Sequence, residues 1–356
     1  MTNIGLHQVL EAALVGDAIT DQAFLMQRWL RQLGFRSEIY TEHCHPSLDK
    51  LTHVASSMRL TDRDPYLIYH HAIGSDAADR LISLNHPLIL IYHNITPPEF
   101  FLSTEPSAAR QLRRGREQLA PLQELTVLSL ADSSYNLREL DDLGFTNSGV
   151  LPIVLAESSY QYTPDETILA RFNGGGPYIL FVGRLAPNKK QEDLIKLLYY
   201  YRRIEPGAKL ILVGSPSPLS YFQWLEEFAS SLELNDAVIF TNHISQREMV
   251  TYYKVADIFV SMSEHEGFGK PLIESMFFHL PVAAYDAAAV PYTMDKVGLL
   301  FQHKHFEALA EVIDLVIHDL KIRQLLIQGQ DQRVLDFLEA KVRDQFEGYL
   351  RKLIRF

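Results

Sequence analysis

A glycine-rich segment between two glutamates carries the most distinctive chemistry in this sequence. It follows an apolar run over residues 257–260 that predicts a buried strand. Glycines let the backbone approach a ligand closely, and Pro271 suits the first turn of a helix. A helix that begins near Lys270 presents the positive end of its dipole, which favours a diphosphate. The residues of this segment are Glu266, Gly267, Phe268, Gly269, Lys270 and Glu274.

The two glutamates suit different parts of one ligand. Glu274 lies about one turn further along the predicted helix, where a carboxylate accepts hydrogen bonds from ribose hydroxyls. Glu266 precedes the turn and lies nearer the space for a sugar. A strand, turn and helix with solvated acids is the alternative for the glycines alone, but the spacing of both glutamates favours a binding site.

A basic loop follows another apolar run, at residues 178–182. Gly183 ends that run, and Arg184 and Lys189 can neutralise a diphosphate, Arg as a fork of donors and Lys as a point charge. A basic loop alone is more often a solvated surface, but the paired glutamates downstream favour a phosphate-binding role. Lys190 is either a third cation or an ordinary surface residue.

Short apolar runs alternate with helical patterns along the whole chain. The segment 20–33 is a clear helix, with Thr20 as its expected cap and Gly34 at its end. Continuous apolar runs indicate strands that are buried on both faces of parallel sheets. The 356 residues suffice for two domains at roughly 150 residues each. The sequence therefore predicts an α/β protein with two doubly wound domains that face a central cleft.

Composition excludes several classes of protein. The net charge is −11, which argues against a general nucleic-acid binder. Cys44 is the single cysteine, so a disulfide framework and a thiolate metal site are excluded. No apolar run reaches the ~18 residues of a membrane span, and the N-terminus lacks the pattern of a signal peptide. We expect a cytoplasmic protein, with any membrane contact peripheral and at the inner face.

As a set, these motifs resemble the family 4 glycosyltransferases of group 1, which are retaining enzymes with the GT-B fold. The resemblance covers about residues 177–302 and includes the segments at 183–189, 212–214, 238–240, 256–257 and 266–274. It implies that Arg184 and Lys189 bind the donor diphosphate. It also implies that Glu266 faces the sugar, that Glu274 holds the ribose, and that the main chain near Ile244 lines the base pocket. The stretch 287–292 departs from the family, because no glutamate follows Pro291.

The resemblance also implies a division of labour between domains. Residues 1–155 would bind the acceptor, 156–176 would be a linker and hinge, 177–336 would bind the nucleotide-sugar, and 337–356 would form a helix that crosses back. The loop at Gly16 and Asp17 is the expected acceptor loop, and His93 matches a histidine near the scissile bond. His70 and His71 are interpreted as lining the acceptor site, since no third ligand supports a metal.

Four arginines cluster on a predicted helix: Arg110, Arg113, Arg114 and Arg116. The first three share one face at helical spacing. They form either a solvated face or a contact with anionic headgroups or an acceptor phosphate.

The sequence thus predicts a metal-independent, retaining glycosyltransferase that uses a nucleotide-sugar as substrate and no cofactor. Its acceptor would be a saccharide or lipid-linked group, in the synthesis of a cell-surface polysaccharide or glycolipid. Two alternatives remain: a nucleotide-sugar epimerase on the same fold, and a non-catalytic nucleotide-sugar-binding subunit. The sugar, the base, the acceptor, the linkage and the oligomeric state are not specified by the sequence.

Overall fold

The computed structural model describes residues 4–354, which form two compact units. The first unit comprises Met1–Leu102, Pro106–Val154 and Glu339–Phe356, and the second comprises Ser103–Glu105 and Leu155–Leu338. Each unit contains a parallel sheet with helices in the connections, as the alternating apolar runs predict.

The first unit contains a seven-stranded sheet in the order β3-β2-β1-β4-β5-β6-β7. Its strands are β1 Leu6–Ala13, β2 Ile39–Cys44, β3 His53–Val54, β4 Tyr66–His71, β5 Leu88–Tyr92, β6 Thr126–Ala131 and β7 Ser148–Val150. Its first helices are α1 Ala18–Gln32, α2 Asp76–Leu84, α3 Pro106–Leu125 and α4 Ser134–Asp142. The sequence did not predict β3, because two residues are too short for a periodic signal.

The second unit contains a six-stranded sheet in the order β10-β9-β8-β11-β12-β13. Its strands are β8 Tyr178–Val182, β9 Lys209–Val213, β10 Val238–Asn242, β11 Ile258–Ser261, β12 Val282–Tyr285 and β13 Leu299–Phe301. Its helices are α5 Glu166–Arg171, α6 Gln191–Tyr201, α7 Leu219–Ser231, α8 Gln246–Val255, α9 Lys270–Phe277, α10 Val290–Met294, α11 Phe306–His318 and α12 Leu320–Val334.

The last helix, α13 Glu339–Leu353, belongs to the core of the first unit. Val342, Phe346 and Leu350 pack in one buried cluster with Trp29 of α1 and with strand residues such as Ile89. The Trp29 indole also donates to the Glu339 carboxylate at 2.9 Å. This helix therefore covers one face of the first sheet.

Helix α1 begins three residues earlier than expected from Thr20. Asp17 is the N-cap, and its carboxylate accepts from the Thr20 amide at 2.9 Å. The Thr20 hydroxyl instead accepts from the Leu14 amide at 3.0 Å. Asp17 and Thr20 are both good capping residues, and only the path of the preceding loop selects between them.

The segment 156–176, expected to be a linker and hinge, is instead part of the second unit. It includes α5, and the Asp165 amide donates to the Thr251 hydroxyl of α8 at 2.8 Å. Gly176 lies so close to Gly207 that a Cβ on Gly176 would be 2.3 Å from the Gly207 carbonyl oxygen. The polar composition of this segment reflects a surface position, and the chain passes between units at residues 154–155 and 338–339, and briefly around residues 103–105.

Within residues 4–354, none of the helices combines the length and hydropathy that crossing a bilayer requires.

Candidate active site

The two predicted loops of the second unit meet where its strand order reverses. Strand β8 comes first in the chain, and it pairs with β9 on one side and with β11 on the other. Doubly wound sheets bind ligands beyond the carboxyl ends of the strands at such a point. The basic loop follows β8, and the glycine-rich segment follows β11.

Glycine is required where the ends of β8 and β9 touch. Gly183 has φ of 152°, and Gly214 has φ of 147°. A Cβ on Gly214 would lie 2.0 Å from the Gly183 carbonyl oxygen. The backbone after β8 therefore leaves the sheet directly beside the next strand, which positions the basic loop at the sheet edge.

Backbone and side-chain hydrogen bonds tie the two loops together. The Asn188 side chain donates to the His265 carbonyl at 3.1 Å, and the Glu264 amide donates to the Asn188 carbonyl at 2.9 Å. Lys189 Nζ lies 2.6 Å from Glu266 Oε2, and their side chains are 17% and 13% exposed. The structure thus brings together a predicted diphosphate cation and the predicted sugar-facing carboxylate.

Arg184 lies in the same charged environment. The residue is exposed, but protein atoms packed around it remove part of its solvation and so lower the pKa of its guanidinium, and the negative charges of Glu105 and Glu266 partly oppose that effect. Arginine nevertheless stays protonated in proteins. The site therefore contains two cations, Arg184 and Lys189, together with the carboxylates of Glu105 and Glu266, so an incoming anion would have to compete with these carboxylates for the cations.

Lys190 is not a third cation for the same ligand. Its backbone is left-handed, with φ of 55° and ψ of 47°, which explains why glycine suits this position. Its Nζ lies 3.6 Å from Glu192 and 3.4 Å from Glu264. Lys190 therefore belongs to an acidic cluster beside the site.

The helix α9 begins as the motif predicts. Gly269 is its N-cap with φ of 85°, and Pro271 lies in the first turn. The Phe268 carbonyl accepts from the Thr293 hydroxyl at 2.5 Å, and the Glu266 carbonyl accepts from the Ala289 amide at 3.2 Å. The stretch 287–292 that departs from the family therefore supports the turn through its backbone. Gly267 lies in the same turn, and Lys270 is the first residue of α9.

Glu274 is held by two tyrosines that the sequence analysis missed. Its carboxylate accepts from Tyr160 at 2.6 Å and from Tyr253 at 2.7 Å, and the residue is 4% exposed. Burial raises the pKa of Tyr253 well above its ordinary value, and Glu274 adds to the effect. Each carboxylate oxygen has a second lone pair, so a ribose hydroxyl can still be accommodated. Tyr160 escaped notice because it lies in the segment expected to be a linker.

Ile244 lies after β10 and just before the capped start of α8. Its side chain is half-buried. The Ser245 hydroxyl and the Glu248 carboxylate form a reciprocal capping box there. The predicted role of this backbone in a base pocket stays a prediction.

The predicted acceptor loop in the first unit has an open glycine and a capping aspartate. Gly16 has φ of 76°, and a Cβ there would have no neighbour within 4 Å among the described residues. Asp17 is occupied as the cap of α1. An acceptor role for Asp17 would have to share its carboxylate with the helix.

The expectation that His71 lines the acceptor site is corrected by its burial. The residue is fully buried, its Nε2 bonds the Gly115 carbonyl at 2.9 Å, and its Nδ1 lies 3.0 Å from the Tyr69 hydroxyl. Burial lowers the pKa of His71 to about 4. His71 is thus a neutral residue of the core and offers no nitrogen to a ligand.

His70 and His93 are also buried and bond to each other. His70 Nδ1 lies 2.9 Å from His93 Nε2, and His93 Nδ1 lies 2.9 Å from Asp132 Oδ2. His70 is 3% exposed and His93 is 8% exposed. Neither ring has a nitrogen left for direct contact with substrate, which corrects the predicted side-chain roles of both. Asp132 was missed, although it directly follows a predicted strand.

The arginine cluster on α3 divides into two pairs. Arg114 bonds Asp76 at 2.6 Å and Asp79 at 2.5 Å, and Arg116 bonds Glu139 and the Ile95 carbonyl at 2.6 Å each. These two arginines are paired within the first unit, and a membrane contact of the cluster stays a prediction. Arg110 and Arg113 are exposed.

One further group of residues has metal-binding side chains, at the ends of α6 and α11. His318 turns Nδ1 to Asp314 at 3.0 Å and Nε2 to Glu205 at 3.8 Å. One ion could take only one of these nitrogens, so the imidazole acts as a bridge between two carboxylates. Glu205 precedes β9, whereas the predicted site follows the carboxyl ends of β8 and β11.

The second unit matches a known family. Residues 169–333 match the family model described as "Glycosyl transferases group 1". The match covers most of the second unit and less than half of the chain. The match confirms the resemblance drawn from the paired glutamates and the basic loop, which both lie inside it.

Two curated relatives of the chain have names that mention a glycolipid. One is an alpha-monoglucosyldiacylglycerol synthase of Streptococcus pneumoniae, 30% identical over 192 residues, covering 50% of this chain and 42% of that protein. Another is a GDP-mannose-dependent phosphatidylinositol monomannoside mannosyltransferase of Mycobacterium tuberculosis, 26% identical over 189 residues, covering 49% and 48%. The chain thus spans less than half the length of these relatives.

Solved structures match the whole chain in fold. Anabaena HepE in complex with UDP has a TM-score of 0.74 at 19% identity, covering 98% of this chain and 100% of that one. A sucrose-phosphate synthase of Thermosynechococcus elongatus has a TM-score of 0.76 at 18% identity, covering 98% and 99%. These matches confirm the predicted fold class, two Rossmann-like sheets of the GT-B type.

Proposed function

We propose that this protein is a retaining glycosyltransferase that moves a sugar from a nucleotide-sugar donor to a lipid-linked or saccharide acceptor. The observation that carries the proposal is the contact of Lys189 with Glu266 beside Arg184, at the switch point of a group 1 domain. Two cations and the start of α9 then surround the position expected for a diphosphate.

The charges suit the proposed chemistry. As the bond between sugar and diphosphate breaks, negative charge grows on the diphosphate and positive charge grows on the sugar. Arg184, Lys189 and the dipole of α9 stabilise the first charge, and Glu266 lies where it can stabilise the second. A diphosphate would compete with Glu266 for Lys189, which would free that carboxylate to face the sugar.

In this proposal the group 1 domain binds the donor and the first unit binds the acceptor. The relatives named above include a diacylglycerol glucosyltransferase and a phosphatidylinositol mannoside mannosyltransferase. We therefore favour a glycolipid acceptor, which would place the protein at the cytoplasmic face of a membrane. Arg110 and Arg113, which are exposed on α3, are the proposed contact with anionic headgroups.

Two cations in place of carboxylate ligands make the proposed reaction independent of a metal. The test has two stages. Thermal unfolding of the whole chain with a panel of nucleotide-sugars identifies the donor, because a bound donor raises the melting temperature. The identified donor is then incubated with candidate glycolipids, with and without a strong chelator.

The proposal expects transfer in chelator and a product with the anomeric configuration of the donor. Inversion of that configuration would contradict the retaining mechanism. Loss of activity that one divalent ion restores would contradict metal independence. Conversion of the donor to an isomer without any acceptor would favour an epimerase instead.

A further inference from the structure

Four polar side chains follow one another across the middle of the first sheet. Gln8 lies on β1, His70 on β4, and His93 and Asp132 directly follow β5 and β6, four strands that are neighbours in that order. Each comes two positions after a buried residue of the apolar core: Leu6, Ile68, Ile91 and Leu130. Side chains alternate along a strand, so the four polar groups lie on the core-facing side of the sheet.

These side chains form one continuous hydrogen-bonded chain. Gln8 Oε1 lies 3.0 Å from His70 Nε2, and the next two links, from His70 to His93 and on to Asp132, are 2.9 Å each. The planes of the two imidazole rings differ by only 6°, and the ring centroids are 5.2 Å apart, so the hydrogen bond between the rings lies close to both ring planes. All four residues are at most 8% exposed, so bulk water does not replace any link.

The glutamine determines the direction of every bond. Gln8 Nε2 donates to the Ala23 carbonyl at 2.9 Å, which leaves only the accepting oxygen for His70. His70 Nε2 must therefore carry a hydrogen. Burial lowers the pKa of His70 well below its ordinary value, and His93 adds to that effect, so His70 is neutral and its Nδ1 is bare. His93 must then donate from Nε2.

Donation from His93 Nε2 to His70 requires an additional proton on the pair of His93 and Asp132. His93 Nδ1 faces Asp132 Oδ2, so either the imidazole carries both hydrogens or the carboxyl carries one. Burial raises the pKa of Asp132, and the charge of His93 opposes that effect. In both forms the pair holds one proton more than a carboxylate and a neutral imidazole, and His93 Nε2 keeps its hydrogen.

We propose that Gln8, His70 and Asp132 are positioning residues that keep a hydrogen on His93 Nε2, so that His93 anchors the carboxyl end of β5 and does not act as a general base. A general base needs a bare nitrogen within reach of the proton that it accepts. His93 has none. The role of this anchor in sugar transfer rests on the proposed function, whereas the position of the hydrogen does not.

The backbone at His93 is held on both sides. The His93 amide donates to the His71 carbonyl at 3.0 Å. The next residue, Asn94, has φ of 68°, and its side chain donates to Asn136 and to Glu139 at 3.1 Å each. The chain therefore turns away from the sheet at His93 and Asn94. The first side chain bonds Asp132, just before α4, and the second bonds two residues of α4. An imidazole whose hydrogens are fixed keeps this turn in one conformation.

The first test locates the hydrogens by NMR of the intact protein with 15N-labelled histidine. Long-range correlations show which ring nitrogens carry hydrogen, and no substrate is needed. We expect hydrogen on His93 Nε2 and on His70 Nε2 between about pH 6 and about pH 8. His71 is the internal control, with hydrogen only on the nitrogen that faces Gly115. A bare His93 Nε2, with the hydrogen on His70 Nδ1, would overturn the proposal.

The second test removes the group that sets the direction. Gln8→Met keeps the length of the side chain but has no amide, so His70 can change tautomer and His93 can lose its Nε2 hydrogen. The titratable groups around His93 are Asp132 and His70, which bond its ring, and His71, which bonds its backbone amide through a carbonyl. We expect the turnover of Gln8→Met to fall severalfold below that of the wild type, with an unchanged donor KM, and its NMR spectrum to show hydrogen on His70 Nδ1.

Gln27→Met is the matched control, because Gln27 is also buried in the first unit and donates to the Ser37 carbonyl at 3.0 Å. It should have the turnover and the ring-nitrogen correlations of the wild type. Wild-type turnover and correlations in Gln8→Met would contradict the positioning role. Failure of the protein to transfer sugar at all would count against the proposed function, and the NMR result would still decide the proton position.

Discussion

Lys189 and Glu266 of the second unit form an ion pair with side chains that are 17% and 13% exposed, whereas the side chains of His93 and Asp132 in the first unit are only 2% and 3% exposed. Both pairs follow the carboxyl ends of central strands. The partly exposed pair can exchange its partner for an incoming anion, because water and ligand reach both charges. The buried pair cannot, because separating it would leave a charge without a partner in the core. The same edge of two similar sheets therefore has an exchangeable ion pair in one unit and a fixed, buried pair in the other.

The largest effect should come from the exchangeable charges. Arg184→Ala and Lys189→Ala should each lower turnover by about 100-fold or more, with a smaller change in donor KM, because charge grows on the diphosphate in the transition state. Steady-state kinetics check this.

Lys190→Ala is the matched control, since Lys190 pairs with Glu192 and Glu264 beside the site. It should stay within about twofold of the wild type. If Lys189→Ala instead raised KM alone, Lys189 would bind ground state and transition state equally.

The buried histidines of the first unit predict that the stability of the protein depends on pH. The folded pKa of His71 is about 4, below the ordinary value of 6.5, so the unfolded chain takes up the proton first as pH falls. The contribution of His71 to the free energy of unfolding is fully present above about pH 6.5. It is lost as the pH falls towards 4, by up to about 3 kcal/mol. Burial also lowers the pKa of His70, which adds to the same slope.

Denaturant unfolding at a series of pH values measures this loss. His71→Gln keeps an amide donor for the Gly115 carbonyl but does not titrate, so its slope between about pH 4 and about pH 6.5 should be shallower. Equal slopes for the variant and the wild type would show that His71 is not buried as a neutral group.

Glu274 combines features of both sides, because it is buried but is predicted to bind the ribose. Glu274→Ala should weaken nucleotide diphosphate binding by roughly 1.5–3 kcal/mol in calorimetry, through lost hydrogen bonds to a charged group. Tyr160→Phe is the control: it removes one donor to Glu274 and keeps the carboxylate. If both variants lost the same affinity, Glu274 would act through its tyrosines rather than through the ribose.

The last effect concerns the exposed pair on α3. Reversing the charges of Arg110 and Arg113 to glutamate should weaken binding to anionic vesicles, measured by sedimentation, by roughly 30-fold or more, because each basic residue near the surface contributes about 1 kcal/mol. The control reverses Lys254 and Lys321, which are exposed on the second unit. Equal losses in both variants would indicate attraction by overall charge rather than by α3.

Much of the second unit could be predicted because its signals are local. Gly183 and Gly269 mark backbone turns with positive φ, Pro271 marks the first turn of a helix, and the apolar runs mark strands. Each of these features depends on a few neighbouring residues. The first unit offered fewer local signals, and there the sequence identified His70, His71 and His93 but misjudged what they contact.

The sequence by itself determined the alternation of strands and helices, and the residue types at the turns that follow β8 and β11. The tertiary structure decided which polar groups are buried and how they are paired. Gln8 and His70 are 62 residues apart, and Tyr160 and Glu274 are 114 apart. A hydrogen bond depends on atoms within about 3 Å of each other, and only the stacking of strands and helices brings such distant residues to that distance. The direction of each bond, and with it the proton on His93, follows from that pairing.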